Sequence, residues 1–189
     1  FDNSFRVTTN NEKSIYAPED MEGMTIRPNL NYMEAFKEFG AKPIPISGGE
    51  VYSALQLGTI NGQENTVGGV VGSKTSEVQS YMSLTDHVYT FRGIHTSQSF
   101  YDKQSEEVRQ AMQEAADIAV EQQRKGALEG SEGALEAVKG MGTITVNELT
   151  MEEKLAFRER VLPLWKTNSD KVGMEYFQMV RDKIDDLEK

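Results

Sequence analysis

Arg27 closes a short apolar run, Met24-Thr25-Ile26-Arg27, and Pro28 follows it directly. Such a run reads as a short strand whose ladder the proline ends. The end of a strand in an open α/β sheet is where ligands commonly gather. The chemistry an arginine could do there is recognition: its planar fork grips a carboxylate through two parallel N–H···O bonds, which a lysine point charge cannot reproduce. On residue types alone, a surface ion pair is the commoner fate of a strand-end arginine. Asn65 lies just beyond Asn61-Gly62, so its bland reading is a turn asparagine. Arg6 reads equally as a solvated charge near the start of the chain. Glu64 could cap a helix or hold an ion pair. Gly48-Gly49, at the start of a helical pattern, could offer backbone N–H groups to an anion.

Chemistry beyond recognition finds little support. His87 and His95 fall in one strand-like stretch with no serine elbow beside them. The acidic pairs Glu152-Glu153 and Asp185-Asp186 read as solvated helix faces. There is no H-E-x-x-H, P-loop or G-x-G-x-x-G pattern, and no ligand spacing that predicts a metal. The expectation is a binding protein with no catalytic residue, no metal and no cofactor. Cysteine is absent, which removes thiolate chemistry and disulfides. Thirty acidic against twenty basic residues give a net charge of −10. A field of that sign repels nucleic acid and anionic lipid, so any anion site must be built locally from a few placed arginines.

The elements that would position these residues fall in two parts. A chain of 189 residues fits one large domain or two small ones. Phe1 marks a processed or excised chain. Up to about residue 98, short strand-like runs alternate with short helices. Tyr32, Met33, Phe36 and Phe39 recur at helical spacing, with Gly40 as C-cap. Lys42 to Ile46 alternates as a strand with an irregular, proline-bearing edge. Ser47-Gly48-Gly49-Glu50 has capping-box form and opens a helix from Val51 to Leu57, ended by Gly58. His87 to His95 reads as another strand. Strand, helix, strand, helix, turn and strand imply βαβ units and a mixed, largely parallel sheet. From Ser105, an N-cap, a long helical pattern runs to about Lys139, where Gly140-Met141-Gly142 breaks it. Thr143 to Val146 alternates as a short strand. Thr150-Met151-Glu152-Glu153 is a second capping box, opening an amphipathic helix that Pro163 should kink or interrupt, and a last helix runs from about Gly173 to Asp185.

Four stretches, in order, resemble one family. Asp2-Asn3-Ser4-Phe5-Arg6 followed by Pro18-Glu19-Asp20-Met21-Glu22-Gly23-Met24-Thr25-Ile26-Arg27 is similar to "DNGxR … PxDLKGLKIR". Phe39-Gly40-Ala41-Lys42-Pro43, leading to Gly49-Glu50-Val51-Tyr52-Ser53-Ala54-Leu55-Gln56, is similar to "LGAxPxPxxxxEVYxALQ". Gly58-Thr59-Ile60-Asn61-Gly62-Gln63-Glu64-Asn65 is similar to "GxVDGQEN", and Glu77-Val78-Gln79-Ser80-Tyr81 with Leu84-Thr85 and His87-Val88-Tyr89 to "EVQKYLxLTxHVY". These are patterns of the DctP-type solute-binding proteins of tripartite ATP-independent periplasmic (TRAP) transporters.

The resemblance implies a fold of two α/β lobes that close on a ligand, of the type II periplasmic-binding-protein kind. The chain would supply the second lobe over residues 1–88, a hinge strand and long-helix segment of the first lobe over 89–130, and a return strand with C-terminal helices over 131–189. It implies an extracytoplasmic receptor that captures a small organic acid and delivers it to TRAP membrane permease subunits. Arg27 matches the arginine that clamps the ligand carboxylate, and Asn65 an asparagine that adds a hydrogen bond to the same group. Arg6 matches a second arginine that touches other polar groups of the ligand. Glu64 and Gln63 would brace the site, and Arg92, in the hinge strand, is a secondary candidate. Three departures bear on ligand identity. The stretch from Arg27 to Gly40 is shorter than usual, so Asn29 carries no assigned role. Gly48 stands where some members place an aromatic, leaving a roomier or more backbone-lined pocket, and Asn61 stands where the pattern has aspartate. Apolar surface meant for a first lobe would lie uncovered, favouring a homodimer. The alternative reading is therefore a self-associating structural fragment with no tight ligand binding.

Overall fold

The computed structural model describes residues 2–187; Phe1 lies outside them. Seven strands form one mixed sheet in the order β3-β2-β4-β1-β5-β7, with β6 pairing β1 off this path. The centre is β1, Asp2–Asn10, nine residues long. It runs antiparallel to β4, Gly62–Thr66, to β5, Tyr81–Leu84, and at its start to β6, Tyr89–Phe91. The flanks are parallel: β2, Thr25–Arg27, lies between β4 and the two-residue β3, Lys42–Pro43, while β7, Thr145–Glu148, adds to β5. The α/β reading with a mixed sheet and a long connecting helix holds.

Period-2 alternation sorts side chains to the two faces. Ile26 points to a core of Met21, Met24, Phe36, Phe39 and Phe157. That core lies under the helices α1, Met33–Glu38, and α6, Met151–Val172. Val7 points the other way, to Val67, Val70, Met82, Val138 and Ile144, under α3, Val67–Gly72, and α5, Glu106–Met141. A smaller cluster of Val51, Leu55 and Ile60 seats α2, Val51–Gln56. The short helix α4, Gln98–Tyr101, leads into α5, and α7, Met174–Leu187, follows α6.

Several boundaries differ from the sequence expectation. Lys42 to Ile46 pairs only at Lys42–Pro43, because Pro43 and Pro45 have no N–H to give a ladder. His87 to His95 narrows to Tyr89–Phe91, and the strand expected at Thr143 begins at Thr145. Ser47 opens a 3₁₀ turn, Gly48–Glu50, without capping a backbone N–H; its hydroxyl donates to Glu50 Oε2 at 2.6 Å. Thr150 does form its capping box with Glu153. Pro163 sits inside an unbroken α6, and α5 runs past Gly140 to end at Gly142, which takes the left-handed conformation. The Asn61-Gly62 signal has a different cause from a hairpin turn. Gly62 opens β4 where a Cβ would stand 2.2 Å from the Thr9 carbonyl oxygen, so only glycine lets β1 and β4 pair there.

Candidate functional site

The pairing Arg27↔Gln63 puts those two residues level on parallel strands, and Asn65 projects on the same face two residues later. These three side chains, with Gly48, Gly49, Val51, Tyr52, Ser73 and Thr75, line a pocket of about 270 Å³ between the sheet, the start of α2 and the end of α3. Arg27 is half-buried. Its Nε donates to the Ile46 carbonyl at 2.9 Å, which orients the guanidinium. Among the described residues no carboxylate pairs with it, so both Nη groups remain available. The strand-end arginine is thus not spent on a surface ion pair.

Asn65 is fixed from the other side. The Thr66 N–H donates to its Oδ1 at 2.9 Å. Because an N–H can meet only an acceptor, this bond identifies the oxygen and leaves the Nδ2 donors for the pocket. Two donor groups, one of them charged, therefore share one concavity. Gly48 and Gly49 contribute backbone only, and a Cβ at either would meet nothing within 4 Å. The hydroxyls of Ser73 and Thr75 are turned inward, donating to the Gly69 and Val70 carbonyls at 2.7 and 3.2 Å.

Arg6 and Glu64 stand on the opposite face of the sheet, outside that pocket. Glu64 is fully buried and forms a two-pronged ion pair with Arg6: Nε donates to Oε2, and Nη2 donates to Oε1 at 3.0 Å. Arg6 Nη2 also donates to the Glu64 carbonyl at 3.1 Å. The Asn29 N–H donates to Glu64 Oε1 at 2.7 Å, which ties the segment just after Arg27 to the same carboxylate. His87 Nδ1 is 2.7 Å from the Thr85 hydroxyl. Its Nε2 lies 3.4 Å from Glu64 Oε2 without an aligned hydrogen bond. Burial works to raise the Glu64 pKa, but the facing His87 and Arg6 overcome it and hold the carboxyl down at about 2. The Arg6 guanidinium also lies 5.7 Å from the Tyr32 ring centroid.

The structure therefore brings Arg27, Asn65 and Gly48 together and sets Arg6 and Glu64 behind them. Arg92 is exposed in the segment after β6, away from this pocket. Sequence reasoning placed His87 in a strand but not in the buried network. Apart from Thr85, two residues before it, the groups it meets are Glu64 and the Phe36 ring, 23 and 51 residues away along the chain, so no local pattern marks it. Tyr52, Ser73 and Thr75 were not singled out either. They reach the pocket from helix and loop positions whose facing depends on how α2 and α3 pack.

Comparison with known proteins adds to this geometry. Residues 1–171 match the bacterial extracellular solute-binding protein family 7. The chain is 34% identical over 151 residues to the 2,3-diketo-L-gulonate-binding periplasmic protein YiaO of Escherichia coli, covering 79% of this chain and 46% of that protein. It is 36% identical over 152 residues to the ectoine-binding periplasmic protein TeaA of Halomonas elongata, covering 79% and 45%. A TRAP periplasmic solute-binding protein from Chromohalobacter salexigens, solved with bound D-glucuronate, superposes with a TM-score of 0.86 at 29% identity, over 96% of this chain and 60% of that one. The chain thus spans about half the length of the curated relatives it matches.

Proposed function

The chain belongs to the bacterial extracellular solute-binding protein family 7, a family of binding receptors rather than enzymes, and from that premise we propose that it is the ligand-gripping lobe of a TRAP transporter receptor for an organic acid. The observation that carries this reading is the Arg27 fork, without a carboxylate partner among the described residues, beside the Asn65 amide in one pocket. Both present only donors, so the group they fit is an anion with paired acceptor oxygens, a carboxylate. Arg27 takes the two oxygens side by side and Asn65 Nδ2 donates to one of them. Arg6 and Glu64 act from behind, holding the segment that follows Arg27. Arg6 and the Asn29 N–H take three of the four lone-pair sites of the buried Glu64 carboxylate, and its Oε2 faces His87 Nε2 at 3.4 Å. The rest of the ligand faces away from this lobe, into a cleft closed by a first lobe, and the loaded receptor hands it to membrane permease subunits.

Relatives named for ectoine and diketogulonate, and one solved with glucuronate, support the organic-acid class and span several chemistries within it. The test is a thermal-shift panel on the two-lobed protein with D-glucuronate, D-galacturonate, D-erythronate, ectoine and succinate. At a ligand concentration a hundred times the dissociation constant, stabilisation is about 2.7 kcal/mol, so a true ligand should stand clear of the rest. Arg27→Ala should abolish that shift. A shift that survives in Arg27→Ala would overturn the reading.

A further inference from the structure

We propose that Gly69 is a positioning residue for ligand binding: its missing side chain leaves the space that the Asn65 amide occupies, and so holds that amide against the Arg27 pocket. The inference rests on Asn65 being a ligand donor. A Cβ built at Gly69 would stand 2.4 Å from Asn65 Oδ1, 2.6 Å from Cγ and 2.9 Å from Nδ2. All three separations are far inside van der Waals contact, so something must move. The helix is the better anchored partner. Thr66 Oγ1 accepts from the Gly69 N–H at 3.1 Å, and the Gly69 carbonyl accepts from Ser73 N–H and Oγ at 3.0 and 2.7 Å. The Asn65 amide is the end of a rotatable side chain held by a single backbone N–H. It is the amide that gives way.

The neighbouring glycines supply the contrast. A Cβ at Gly68 or Gly72 would meet nothing within 4 Å. Glycine is a poor residue inside a helix, and nothing in the packing around Gly68 calls for it. At Gly69 the same helical weakness is coupled to the pocket. Gly69→Ala should therefore strengthen the fold and weaken binding in the same molecule. A merely structural glycine would do neither, or would lose stability and affinity together.

The experiment uses the two-lobed protein and whichever of D-glucuronate, D-galacturonate, D-erythronate and ectoine binds most tightly. Calorimetry should show Gly69→Ala weakened roughly ten- to a hundredfold, the range expected for one hydrogen bond to a charged group. Its melting temperature should be unchanged or higher. Asn65→Ala should weaken binding to the same extent, and adding Gly69→Ala to it should change nothing further, because alanine at 65 leaves room for the new methyl. Gly68→Ala should bind as the parent does. A crystal structure of Gly69→Ala, which needs no ligand, should show the Asn65 amide turned off the Thr66 N–H with α3 in place. Parent-like affinity in Gly69→Ala, or an unmoved Asn65 with a shifted helix, would overturn the inference. Parent-like affinity in Asn65→Ala would instead overturn the ligand role of Asn65, and the Gly69 inference with it.

Discussion

A guanidinium with its Nε already committed to a carbonyl can rotate little, and its two Nη groups then define a plane in which a carboxylate must lie. Replacing Arg27 by lysine keeps the charge but loses that plane. Arg27→Lys should therefore weaken organic-acid binding at least tenfold by calorimetry, approaching Arg27→Ala, and affinity within twofold of the parent would show that charge alone suffices. Glu64 supports a different kind of prediction. Its carboxyl is held at about 2 in the fold against an ordinary value of 4.5. A depressed acid contributes stability that is complete above the unfolded value and is lost as pH falls from about 4.5 to about 2, here amounting to roughly 3 kcal/mol. Acid unfolding followed by circular dichroism should show that slope, and Glu64→Gln should flatten it while lowering stability at neutral pH, since Arg6 would be left buried without its partner. The strand-end position of Arg27 was legible from the sequence because the following proline ends the ladder there, whereas its assignment to a ligand came only from the family resemblance. The pairing of Arg6 with Glu64 was not, because 58 residues separate them and only the register of β1 on β4, which sets Arg6 opposite Thr66 and Thr8 opposite Glu64, makes them diagonal neighbours on one face.

At the scale of elements, two capping boxes look alike in sequence and differ in the fold. Thr150 accepts from the Glu153 N–H at 3.3 Å, and the Glu153 carboxylate accepts from the Thr150 N–H at 2.6 Å. Ser47 instead bonds the Glu50 side chain, above a 3₁₀ turn. Thr150→Ala should cost about 1 kcal/mol in chemical denaturation, and Ser47→Ala only a few tenths. Equal costs at both sites would mean that the Ser47 box forms after all. The difference arises because Gly48-Gly49 lets the chain tighten before α2 begins, and the same two glycines leave the pocket wall bare. Helix periodicity was readable where apolar spacing is strong, as in α1, and through the loosened middle of α5, where Gly126, Gly130 and Gly133 are absorbed. Strand extents were the least readable. Two residues of β3 and three of β6 are set by which neighbours offer a ladder, not by the alternation of the run itself.

Over the whole molecule, Phe5, Tyr89, Phe91, Ile94 and Phe100 lie on the surface in β1, in β6 and in the segment that follows it, Phe91 with 80% of its area open. Beside them, Ser4, Phe5, Val7, Tyr89 and Leu135 line a concavity of about 540 Å³ between β1 and α5. So much apolar surface in one region marks an interface. The chain covers 60% of the Chromohalobacter salexigens structure it superposes on, and in the proposed two-lobed receptor a first lobe lies against this face. The chain by itself should therefore self-associate in light scattering, and the two-lobed protein should be monomeric; a monomeric, freely soluble single lobe would remove the argument for a covering partner. The central claim concerns where the ligand's charge goes, and a crystal structure of the two-lobed protein with its tightest-binding organic acid tests it most directly. The prediction is a carboxylate whose two oxygens lie about 3 Å from the Arg27 Nη atoms, one of them also within reach of Asn65 Nδ2. A carboxylate bound elsewhere, with the Arg27 fork turned to solvent or paired to a protein acid, would contradict it.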